Sequence, residues 1–112
     1  MSRYSVAAKL IEEDTPIVPE IAAGAIVDEA ARLAPDHADE LLSRRAELVA
    51  ALAARANATY KANPNSVWSR RIRSGGNRGR DTLYAFMRHW LAADLKRNSP
   101  DVFSALPRNY GT

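Results

Sequence analysis

Five arginines and three glycines stand within the stretch SRRIRSGGNRGRD, Ser69 to Asp81. A guanidinium is planar, always charged, and offers a fork of N–H donors that matches two phosphate oxygens at once; it also stacks on flat rings. Arg70, Arg71, Arg73, Arg78 and Arg80, with Arg88 a little further on, are therefore the residues best suited to grip a polyanion. Tyr60 and Trp68 are close in sequence and could stack on unpaired bases. For Trp68 the simpler reading is a core position, because tryptophan at helical spacing usually packs inward.

The glycines raise a second chemistry, a backbone cradle for a nucleotide. The spacing rejects it. A P-loop needs a glycine, four residues, then Gly-Lys and a hydroxyl after a strand; here Gly75 to Gly79 is too short, Arg80 replaces lysine and Asp81 replaces the hydroxyl. The dinucleotide fingerprint lacks its strand–glycine–helix context. Asp81 reads as the N-cap of the following helix, where its carboxylate would repel a phosphate. Contact with an anion is thus expected from arginine side chains in a flexible loop.

Other chemistries have weaker support. His37 and Glu40 share a helical face beside Asp36, but no further ligand is evident, so no metal is expected. His89 reads as a surface or boundary residue, and neither a nucleophile nor paired carboxylates accompany it. No catalytic residue and no cofactor is assigned, and the chain is not read as an enzyme. Cysteine is absent, which removes disulfides, thiolate zinc sites and cysteine nucleophiles. No apolar run is long enough for a signal peptide or a membrane span, so a cytoplasmic protein with no membrane partner is expected.

Charge is unevenly divided. Met1 to Ala56 carries six basic residues against ten acidic ones, a balance of −4. From Asn57 onward ten basic residues face three acidic ones, a balance of +7. The preference for arginine over lysine and the many alanines fit a GC-rich genome, bacterial or phage-like, but that bias does not explain why acids avoid the second half.

The elements that must hold these residues read as helices. Residues 3–13 form a first helix, and Pro16 and Pro19 interrupt the chain, so residues 1–18 are expected to be loosely attached. A second helix spans 19–34, with Pro19 at its start and Ala22, Ile26, Ala30 and Leu33 on one face. Its Gly24 suits close helix contact. A third, long helix over 36–61, capped by Asp36, carries the stripe Leu42, Ala46, Val49, Ala53, Ala56 and Tyr60, widened by Leu41, Leu48 and Leu52. Its alanines suit close approach of another helix, within the fold or across a homodimer. Ser66 caps a short helix to Arg73. The glycine loop follows, then a helix over 82–97 whose buried face is Leu83, Phe86, Met87, Trp90, Leu91 and Leu95. Ser99-Pro100 starts a last short turn, and residues 108–112 are expected to fray.

The sequence thus predicts one all-α domain over 1–112, a compact bundle of about five helices with one long central helix and no sheet. The function it favours is nucleic-acid binding through phosphate contacts of low sequence specificity. The alternative is a protein-interaction module, an adaptor, inhibitor or assembly subunit, whose basic loop meets an acidic partner.

Overall fold

A computed structural model describes residues 17–73 and 76–112, and six α-helices occur among them. They are α1 (Pro19–Leu33), α2 (Ala38–Ser43), α3 (Arg45–Ala62), α4 (Val67–Arg73), α5 (Gly76–Asn98) and α6 (Pro100–Ala105), with a 3-10 turn at Pro35–His37 before α2. No strand occurs among the described residues, and the fold is an all-α bundle. The helix expected over 3–13 lies outside the described residues. None of the described helices is long and apolar enough to cross a membrane.

Helix α1 begins as its sequence dictates, with Pro19 in the first turn and Glu20 beside the free N–H groups. It packs against α2, α3 and α5. Its buried face is built from small residues, Ala22, Ala23, Gly24, Ala30 and Ala31, around Ile26 and Val27. Small side chains let neighbouring helices come close, and the alanines Ala53 and Ala56 of α3 are buried too. The alanine-rich character of α3 is thus used partly within the fold. Ala50, Ala51, Ala54 and Ala58 remain exposed.

The long central helix is α5, not the segment 36–61. Leu83, Met87, Leu91 and Leu95 recur every fourth residue along α5, and all four are fully buried. That face meets Ile26 and Val27, Leu41, Leu48 and Leu52, and the closing residues Val102 and Leu106 in one core.

Three expectations give way here. First, 36–61 is not continuous. Arg44 leaves the helical conformation at φ −100° and ψ 6°, separating α2 from α3. Ser43 Oγ donates to Glu40 O at 2.7 Å, a local bond that loosens a helix end. The Arg44 guanidinium is drawn away to Ser99 Oγ at 3.1 Å, Asp94 at 3.2 Å and Glu47 at 3.1 Å. The break turns the apolar face, so Leu41 is buried while Leu42 is 47 % exposed. Asp36 makes no cap; it sits in the 3-10 turn, which has no side-chain cap bond.

Second, from Gly76 onward the expected glycine loop is helix, the start of α5. Gly76 enters with φ +76°, a left-handed conformation that costs glycine nothing. Gly76 and Gly79 are buried where α4 packs against α5, as are Ser69 and Ile72 of α4. This packing outweighs the helix cost of about 1 kcal/mol per glycine. Thr82 Oγ1 donates to Arg78 O at 2.8 Å, a bond made one turn inside a helix. Asp81 is therefore an exposed residue within the helix and not its cap.

Third, the C-terminus docks. Tyr110 is 9 % exposed and joins the core. Gly111, at φ +78°, lies so close to α5 that a β-carbon there would stand 2.7 Å from Ala92 Cβ and 2.9 Å from Arg88 O. His89 Nδ1 donates to Gly111 O at 3.0 Å.

Candidate nucleic-acid interface

The basic residues of the second half have different fates. Ser66 positions the first of them. Its Oγ accepts from the Ser69 N–H at 3.2 Å and donates to Asn63 O at 3.0 Å, closing the start of α4 as the sequence predicts. Arg70 then projects from the middle of α4. It is exposed, and its side chain makes no hydrogen bond or ion pair among the described residues. Arg78, on the first turn of α5, is exposed and equally unpaired. Arg80 is half-buried and engaged within the chain. The side chains of Trp68, Arg71 and Arg73 lie outside the described residues.

Arg88 is not available. Its Nε and Nη2 donate to the two carboxylate oxygens of Glu29 at 2.7 and 2.8 Å, a fork closed between α5 and α1. The hydrogen bond from Arg88 holds the Glu29 carboxyl below its ordinary range, against the opposing effect of burial. Tyr110 is buried close enough to this pair to feel both charges, and burial pushes its phenol strongly upward.

Tyr60 is half-buried and packed against the core. Burial pushes its phenol up to about 12, and its hydroxyl finds no partner among the described residues. Only part of the ring is therefore open for stacking.

The acids of the N-terminal half meet arginines elsewhere. Arg45 reaches back across α1, its Nε and Nη2 on the Asp28 carboxylate at 2.8 and 3.1 Å. Gly24 makes the room: a β-carbon there would sit 2.8 Å from Arg45 Nη2. What the glycine admits is an arginine side chain of α3; no backbone atom of a neighbouring helix is among the atoms nearest to it. His37 Nδ1 stands 3.7 Å from Glu40 Oε2, and no group of three or more potential ligands able to hold a metal occurs among the described residues.

A further basic and aromatic group was not singled out from sequence. The helical spacing predicts Phe86 and Trp90 as buried, yet both are only half-buried, and their rings stack at 5.8 Å with 11° between planes. The guanidinium of Arg55, from α3, lies 5.4 Å from the centre of the Trp90 ring. Trp90 and Arg97 stand two turns apart on one side of α5, the signal in the sequence that joins them; Arg55 is joined only by the packing of α3 on α5.

No family model matches the chain. No curated protein and no solved structure matches it either.

Proposed function

We propose that the protein binds nucleic acid through phosphate contacts made by the arginine-bearing surface of α4 and the start of α5, with low sequence specificity. One observation carries the reading. The acidic half does not neutralise this surface among the described residues: Asp28 is held by Arg45, Glu29 by Arg88 and Glu47 by Arg44, while Arg70 and Arg78 stay exposed without an acidic partner. Had the segregated charges simply met each other, no open basic surface would be left to explain. Arg71, Arg73 and Arg80 belong to the same segment and add to its positive potential.

Carrying two of these arginines on helices favours affinity. Phosphate-binding side chains on helices lose less freedom on binding than those on a loop. Phosphate contacts carry no sequence information, hence the weak specificity.

A second reading has its own support. Val67, 62 % exposed, lies one turn before Arg70, and a mixed apolar and basic patch suits an acidic protein partner. The exposed alanines of α3 would then serve a homodimer.

Fluorescence anisotropy with a duplex and a single-stranded oligonucleotide separates the two. Binding to both at low salt, weakened about tenfold or more by Arg70→Gln with Arg78→Gln, is the expected result. Absence of binding at low salt would turn the assignment to the protein partner.

A further inference from the structure

The groove between α3 and α5 has a composition that core packing alone does not require. Leu52 and Leu91 form its apolar floor, Trp90 its wall, and Arg55 and Arg97 its rims, enclosing about 140 Å³. Asp94 also lines it, but its carboxylate is bound by Arg44 at 3.2 Å, so part of its charge is already compensated. Arg55 and Arg97 are exposed, and neither side chain pairs with an acid among the described residues. The groove is therefore an aromatic and apolar pocket bordered by two guanidiniums without acidic partners among the described residues, that of Arg55 lying over the Trp90 ring.

It also continues the surface just described. On α5 the positions between Arg78 and Arg97 on the same broad side, at about 100° per residue, include Thr82, Phe86, His89, Trp90, Ala93 and Lys96, none of them acidic, with Asp81 and Asp94 flanking the stripe. This stripe is about 28 Å long at 1.5 Å per residue. An extended polyanion lying along it from Arg78 would reach the groove, whose lining carboxylate, Asp94, is already bound by Arg44.

Resting on the nucleic-acid reading above, we propose that the ligand is single-stranded and that this groove takes one unpaired base, stacked in the layer of Trp90 and Arg55, while Arg55 and Arg97 meet the flanking phosphates. A base inside a duplex has its faces covered by its neighbours and cannot enter a slot of this kind. Arginine contacts to phosphate serve both forms, so the groove is what separates them. Arg55 already lies over the tryptophan, and a base stacks on a guanidinium plane as on a ring.

The test compares a labelled oligothymidylate with a duplex of equal length at one salt concentration. Trp90→Leu should weaken oligothymidylate binding about tenfold, within the range one stacked base contributes, and leave duplex binding within about twofold. Arg55→Gln, an exposed change that does not touch the core, should weaken the single strand several-fold and the duplex less. Thermal melting of each variant reports that the fold is kept. Equal losses on both ligands, or no loss on the single strand, would overturn the proposal. If Trp90→Leu is silent while Arg70→Gln with Arg78→Gln still weakens both ligands, the arginine surface stands and the groove assignment fails. Displacement of oligothymidylate from the wild type, but not from Trp90→Leu, by a short acidic peptide at equal concentration would overturn it in favour of a protein ligand.

Discussion

At the scale of single residues, the arginines of this chain differ less in type than in what they hold. Arg44 ties the α2–α3 break to the end of α5 through Asp94 and Ser99. Arg88 closes on Glu29 with two short bonds. Such a fork, about a quarter to a third exposed, contributes more than an open surface pair and less than a fully buried one. Glu29→Gln should therefore cost about 1–2 kcal/mol at neutral pH. The sign of the pH dependence follows from the lowered Glu29 pKa. The ordinary glutamate value is 4.5; the folded value lies below it, so the stabilisation is complete above about that pH. It is lost as pH falls through the lower, folded value. Chemical unfolding across this range should show the gap between wild type and Glu29→Gln closing in acid. A gap that stays constant from neutral to strongly acidic pH would show that the carboxylate charge contributes nothing.

At the scale of elements, what was legible in the sequence was local. Pro19 at a helix start, Ser66 as a cap and the four-residue spacing of Leu83, Met87, Leu91 and Leu95 are signals carried within a turn or two, and each appears in the fold as read. Ser66→Ala should cost about 1 kcal/mol, measured by thermal or chemical unfolding, since it removes the cap of a helix of only seven residues. What was illegible depended on partners far along the chain. The break at Arg44 answers to Asp94 and Ser99, some fifty residues away. The helical form of the Gly76–Asp81 segment depends on α4 covering its glycines, which propensity cannot show. The tail looked frayed because Tyr110 and Gly111 carry no local pattern; their docking is a matter of fit against Arg88 and Ala92. Gly111→Ala should strain the backbone at a positive φ and collide with α5, detaching the last residues. The expected cost is about 1–3 kcal/mol, with amide exchange at residues 110–112 rising to that of an open tail. Unchanged exchange there would contradict the docked arrangement.

The candidate site divides in the same way. Arg70 and Arg78 were visible as a cluster because charge needs no fold to be counted. The loss of Arg88 to Glu29, 59 positions away, was not visible. Nor was the groove, whose Arg55 and Trp90 belong to different helices.

At the scale of the whole molecule, the charge segregation is only partly internal complementarity. The net charge is +3, and the pairs that form are centred on α1, the α2–α3 break and the middle of α5. Arg70 on α4, Arg78 and Arg97 on α5, and Arg55 on α3 are left exposed without acidic partners among the described residues. A surface of this kind should attract a polyanion at long range and release counterions on contact. The most direct measurement is the affinity for a DNA duplex over a salt series from about 50 to about 200 mM. Neutralisation of roughly five phosphates predicts a slope of about −4.5 in log affinity against log salt, made shallower by about 0.9 for each arginine changed to glutamine. An affinity that hardly changes with salt, or a slope unaffected by Arg70→Gln and Arg78→Gln, would contradict the account.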